Sequence, residues 1–155
     1  MHEKDFNTIV KTTLINEGGW AFKIPDPPKI MMNNNKLPIK NPFDGFGILP
    51  NGRNIYWESK YIKGLHSFNL SIIEEHQIEN LLKIKTLNKN NLCIILLCCN
   101  ISPRDKRVFI FNDILKLKER RDNKENYKMK ELLTLPYLNI RYQTIINFSQ
   151  SLSLL

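Results

Sequence analysis

Phe6, Ile9, Val10 and Leu14 recur at three- and four-residue intervals, which places them on one face of a helix over residues 3–17, and Gly18-Gly19 supplies the flexible stop that helix C-termini favour. Residues 20–24 read as a short strand closed by Pro25-Asp26-Pro27-Pro28, where three prolines leave few donors for a ladder. Pattern is then lost over residues 27–41, a polar and basic stretch with Lys29, Lys36, Lys40, three consecutive Asn and an isolated Ile30-Met31-Met32; an exposed loop or short stalk is expected. Two β-like runs, 43–49 and 54–61, flank Pro50-Asn51-Gly52-Arg53, and this predicts a hairpin because Gly accepts the positive φ such turns require. Ser71-Ile72-Ile73-Glu74 has capping-box spacing, predicting a helix from there to about residue 87. The unbroken apolar run 92–99 predicts a buried strand, with an antiparallel neighbour at 107–111 reached through Ser102-Pro103-Arg104-Asp105. Asn112 or Asp113 can cap a short helix leading into a polar stretch, 116–130, that reads as solvated surface. Residues 140–148 predict the last strand, and the Ser/Leu tail after Gln150 carries no pattern. Together these elements predict an α/β (or α+β) fold, a mixed central β-sheet flanked by helices, in one domain over residues 1–155.

Charge adds a direction to this picture. The 155 residues carry 23 Lys+Arg against 15 Asp+Glu, a formal net charge of +8, and a positive field favours polyanions, of which nucleic acid is the commonest for a small protein. Abundant Lys, Asn and Ile beside a single alanine, Ala21, also look like the imprint of an AT-rich genome, so part of the basic excess is compositional. At 42% hydrophobic residues, with eight Phe, global disorder is excluded. The longest apolar run has eight residues against the roughly 20 needed to cross a bilayer, so no membrane span is expected. Met1-His2-Glu3-Lys4-Asp5 does not open a signal peptide, and a cytoplasmic location is the expectation. Cys93, Cys98 and Cys99 all fall in the apolar run and read as reduced core thiols without zinc spacing.

The hairpin is where chemistry concentrates. Alternation puts Tyr56, Glu58 and Lys60 on one face and Trp57, Ser59 and Tyr61 on the other, and a turn centred on Asn51-Gly52 places Asp44 across from the Glu58 to Lys60 stretch. Two carboxylates and an ammonium would converge. Such a group suits phosphodiester hydrolysis: Mg²⁺ takes hard oxygen ligands and often only one or two protein carboxylates, it activates a bound water, and an ammonium stabilises the phosphorane-like charge. A Glu-x-Lys on a strand is also a common exposed ion pair worth about 0–1 kcal/mol.

Pro42-Phe43-Asp44, fourteen residues before Glu58-Ser59-Lys60, resembles the signature of the PD-(D/E)xK nucleases, the restriction-endonuclease-like superfamily. In order, Asp44-Gly45-Phe46-Gly47-Ile48, Glu58-Ser59-Lys60, Ser67-Phe68-Asn69-Leu70 and His76-Gln77-Ile78 resemble the RecU-type Holliday junction resolvases, in which a Ser-Phe-x-Leu segment leads into a helix bearing His-Gln. Glu3-Lys4-Asp5-Phe6-Asn7 is similar to that family's first helix, and residues 131–146 more weakly to its closing segment. The resemblance implies a restriction-endonuclease-like core and a Mg²⁺-dependent endonuclease, with Mn²⁺ as a substitute, that resolves four-way branched DNA by paired nicks as a homodimer. It implies that Asp44, Glu58 and Gln77 bind the metal, that Lys60 stabilises the transition state and that Glu3 is a supporting acid.

Two departures accompany it. Where the family often has a Thr ligand two positions before the Asp, this chain has Pro42, so either a backbone carbonyl substitutes or one ligand is missing. The basic arm over 27–41 is also shorter than the family's stalk. Lys29, Lys36 and Lys40 could follow DNA phosphates with Ile30-Met31-Met32 wedging at a branch point, or belong to a disordered polar loop; Arg53 at the hairpin turn is a further DNA-binding candidate. His76 reads as a packing or capping residue. A repair or restriction-type nuclease acting on other DNA, and a non-catalytic DNA-binding module on the same fold, are the alternatives.

Overall fold

The apolar run beginning at Leu92 becomes a strand, β4 (Leu92–Ser102), whose first eight residues are all buried. A strand so apolar needs cover on both faces. Leu92, Ile94, Leu96 and Cys98 face a core beneath α1 (Glu3–Asn16) and α5 (Phe148–Ser153), while Cys93, Ile95, Leu97 and Cys99 face a second core beneath α2 (Glu75–Leu87), α3 (Ile114–Asp122) and the short α4 (Met129–Leu132). The computed structural model describes residues 1–26 and 40–155, so Lys29, Lys36 and the Ile30-Met31-Met32 patch of the expected arm lie outside the described residues.

β4 is the middle strand of a seven-stranded mixed sheet whose spatial order follows the chain: β1 (Trp20–Lys23), β2 (Gly45–Ile48), β3 (Asn54–Lys63), β4, β5 (Asp105–Phe111), β6 (Leu138–Arg141) and β7 (Thr144–Ile145). β3 and β4 run parallel with α2 as the crossover between them, and the other neighbouring pairs are antiparallel. The expected hairpin is present, Gly45 facing Trp57 across β2 and β3, with Gly52 at φ +82° in its turn. The fold is thus mixed α/β with helices on both faces, and among the described residues no helix is long and apolar enough to cross a membrane.

α1 holds distant parts of the chain together through polar residues on its buried face. The Trp57 indole N–H donates to Asn7 Oδ1 (2.8 Å), the Ile145 amide donates to Thr13 Oγ1 (3.0 Å), and the Glu17 carboxylate accepts from the Phe148 and Ser149 amides (3.2 and 2.6 Å). That last contact satisfies the orphan amides at the start of α5 and sets a carboxylate at its N-terminal end.

Two expectations need correction. The helix expected from Ser71 begins four residues later: Leu70–Ile72 is a 3₁₀ turn capped by Asn69, which accepts from the Ser71 amide (2.9 Å), and α2 starts at Glu75. Ile73 is the cause, because it is fully buried in extended backbone and so interrupts the helix; the working capping box is Glu74 with Gln77. The strand expected over 140–148 is a tight β6–β7 hairpin followed by α5. Burying both Ile140 and Ile145 against α1 requires a reversal that pairs them, and Tyr142 and Gln143 make it with φ of +49° and +59°. The 116–130 stretch is mostly exposed, as expected, with Leu117 buried and a few of its side chains engaged. Arg120 donates to Glu131 (3.0 Å) and lies 4.0 Å from the Tyr127 ring centre, and Arg121 donates to the Ile73 carbonyl (3.0 Å).

Cys93, Cys98 and Cys99 are free and buried, and burial pushes their thiols up to about 11, 12 and 12. Gly45 shapes the hairpin more tightly than any turn residue does: a Cβ there would lie 2.2 Å from the Trp57 ring. Gly45→Ala is therefore expected to destabilise the protein by about 1–3 kcal/mol through overpacking, read as a lower urea midpoint with an unchanged slope. An unchanged midpoint would show that the indole does not need this gap.

Candidate active site

Alternation along β3 turns Glu58 and Lys60 toward the α2 face, and Trp57 and Ser59 away from it. Asp44 sits just before β2, held from both sides: its amide donates to the Trp57 carbonyl (3.0 Å) and its carbonyl accepts from the Ile24 amide (2.8 Å). Its side chain then takes the next amide of β3, Oδ2 accepting from Ser59 N (2.8 Å). Gln77 approaches from the first turn of α2 and donates its amide Nε2 to Glu58 Oε1 (2.6 Å), the same oxygen that lies 2.7 Å from Lys60 Nζ. The structure thus brings Asp44, Glu58, Lys60 and Gln77 together.

Burial sets the electrostatics. Glu58 is 1% exposed and Lys60 6%. Loss of solvation and then the charge of Asp44 push the Glu58 carboxyl up to about 8, against the attraction of Lys60. Burial lifts Asp44 to about 6, opposed by the Ser59 amide and Lys60. For Lys60, burial works against the ammonium, but Glu58, by charge and hydrogen bond, with Glu3 and Asp44, outweighs it and holds the lysine above its ordinary range. One ammonium therefore serves several carboxylates, and positive charge is short. The remaining Glu58 oxygen, Oε2, is buried without a hydrogen-bond partner, a costly position for an anion.

A divalent cation fits this deficit. It would take Glu58 Oε2 and the Asp44 carboxylate, a pair of hard oxygen donors suited to Mg²⁺ or Mn²⁺. Among the described residues no three His, Cys, Asp or Glu side chains are grouped closely enough to hold an ion alone, so Glu3, exposed on the first turn of α1, acts on the site through its charge. Gln77 presents nitrogen to Glu58 and oxygen to the Glu74 amide (3.0 Å), so ligation by its oxygen needs the amide reversed and Glu74 left without that acceptor. Amide orientation of this kind is assigned from the hydrogen-bond network.

The remaining candidates divide. Lys40 pairs with Glu74, and His76 hydrogen-bonds the Asn41 carbonyl (3.0 Å) while facing Glu74 (3.4 Å), which ties the chain before Asp44 to the start of α2. Arg53 lies at the head of β3 and donates to the Asn90 carbonyl (2.7 Å); five residues of strand, about 16 Å, separate it from Glu58, so it is not part of this group. Glu74, which caps α2 and collects Lys40 and His76, was missed by sequence reasoning because the capping box was placed one turn early. Asn7, which holds the Trp57 indole behind Glu58, was also missed, although a polar residue on the apolar stripe of α1 was a legible signal. No known family model matches the chain, and a search of curated proteins finds no significant relative.

Without a metal, the raised carboxyls set the direction of pH dependence. Folded Asp44 and Glu58 hold protons that the unfolded chain has already released, so the stability they contribute is complete below about pH 4 and is lost as pH rises through about 6 and then about 8. Lys60, raised from an already high value, does not titrate in that window. In EDTA, urea denaturation between pH 4 and 9 should show stability falling with pH, and Glu58→Gln should reduce the fall. Equal pH slopes for the two proteins would overturn the assignment.

Proposed function

We propose that this protein is a Mg²⁺-dependent endodeoxyribonuclease with a restriction-endonuclease-like core, and that it resolves four-way DNA junctions by paired nicks. The observation that carries the reading is the buried Glu58 carboxylate, one oxygen bonded to Lys60 and Gln77 and the other without a partner, with the charge of Asp44 acting on the group. An isolated surface ion pair does not explain that arrangement, because such pairs are solvated on both partners. The bound ion, Mg²⁺ or Mn²⁺, would supply a polarised phosphoryl oxygen and an activated water.

The chain's own groups have separate tasks. Asp44 and Glu58 would hold the ion. The Ser59 amide and Gln77 fix the two carboxylates in place. Lys60 Nζ, protonated throughout the working pH range, sets a fixed positive charge where negative charge builds on the phosphoryl group. Trp57, clamped by Asn7 from behind, keeps β3 from shifting under this load. Each chain offers one such hairpin, and paired nicks on two strands call for two, so a homodimer is part of the proposal.

The test is nicking of an immobile four-way junction, a flap and a linear duplex, each in Mg²⁺, Ca²⁺ and EDTA. Mg²⁺-dependent cutting confined to the junction is expected; equal cutting of linear duplex would move the substrate to ordinary DNA and retain the nuclease. Asp44→Asn and Glu58→Gln should abolish cutting, and Lys60→Ala should lower it about 10²–10³-fold, with junction binding in Ca²⁺ largely kept. Undiminished cutting by these variants would refute the site.

A further inference from the structure

A second concave surface lies against the start of α1. Met1, Asp5 and Thr8 of that helix, the β4–β5 turn at Arg104 and Lys106, and the β6–β7 turn at Arg141 and Tyr142 enclose a cleft of about 950 Å³. We propose that this cleft is a subsite for a single DNA strand, with Arg104, Lys106 and Arg141 on its phosphates and Tyr142 stacked on an unpaired base. The proposal rests on the nuclease reading above and names where a strand beyond the cut is held.

Three observations carry it. The cleft gathers three cations and one acid, and that acid, Asp5, accepts the His2 amide (2.7 Å) in capping α1. Among the described residues neither Arg104 nor Arg141 has an ion-pair partner, whereas Arg107 and Arg120 each have one and each lie over a tyrosine ring. Tyr142 is 100% exposed, the full face of its ring in solvent at the tip of a turn.

A bare aromatic beside unpaired guanidinium groups is the chemistry of a strand-binding platform: stacking accepts any base, and the cations follow the backbone. Duplex DNA hides its base faces within the stack and offers Tyr142 nothing equivalent. Position agrees with the chemistry. Glu3, two residues before Asp5 on α1, acts through its charge on Asp44, Glu58 and Lys60, and Asp5 lines the cleft.

The experiment is fluorescence anisotropy of the full chain with a labelled single-stranded oligonucleotide in Ca²⁺, over a salt series. Tyr142→Ala should weaken binding by about one order of magnitude without changing the salt slope, and Tyr142→Trp should retain it. Arg104→Ala/Arg141→Ala should weaken binding and reduce the slope by about 0.7 per lost phosphate contact. Wild-type affinity and slope in both the Tyr142→Ala and the double-arginine variants would overturn the subsite, as would a wild-type protein that binds no single strand. Nicking in Mg²⁺ is scored separately: strand binding that depends on these residues, with no nicking of any DNA, sinks the nuclease reading and leaves the subsite standing.

Discussion

A carboxylate inside a sheet has lost its water, and something must replace it. Glu58 receives an ammonium and an amide on one oxygen and nothing on the other. Much of the architecture can be read as the means of holding that imbalance. β3 must be covered by α2 for Gln77 to reach Glu58, β2 must begin just after Asp44 for a second carboxylate to act on the same group, and Gly45 must lack a side chain for Trp57 to close the opposite face. Hydrophobic burial supplies the rigidity. Trp57, Ile94 and Leu96 on one side and Ile95, Leu97 and Ile78 on the other leave β3 and β4 no alternative register, since a one-residue slip would turn Glu58 and Lys60 toward α1.

The fold was legible where a period or a turn residue decided it. The α1 stripe, the Asn-Gly hairpin and the apolar run of β4 each has one physical reading, and each element stands within a few residues of where that reading puts it. What escaped was decided by distant burial. Ile73 is an ordinary helix residue by local measures, and its depth in the second core delays α2 until Glu75. Residues 140–148 look extended locally, yet Thr13 and Glu17, some 130 positions earlier, accept the amides of Ile145, Phe148 and Ser149 and so settle a turn and a helix there.

The candidate site divides in the same way. Asp44, Glu58 and Lys60 could be placed together by counting along a hairpin, because strand pairing is nearly rigid arithmetic. The orientation of Gln77 could not. Its amide serves the Glu74 N–H with one atom and Glu58 with the other, and only the position of the helix start decides which atom faces the carboxylate. Arg53 illustrates the converse: a cation close in sequence to the hairpin is carried to the opposite end of β3 and engages the α2–β4 connection.

Charge placement follows from the same constraint. A site that gathers carboxylates repels the polyanion it is proposed to cut, and a net charge of +8 spread evenly would be screened beyond about 10 Å at moderate salt. Attraction must therefore come from cations near the acids but not neutralised by them. Lys60 cannot supply it, being committed to Glu58, and Lys40 is committed to Glu74. Arg104 and Arg141, without ion-pair partners among the described residues, line the cleft beside the start of α1. Separating the groups proposed to hold the ion from the groups proposed to hold the strand would let each keep its charge, with Asp5 committed to the cap of α1.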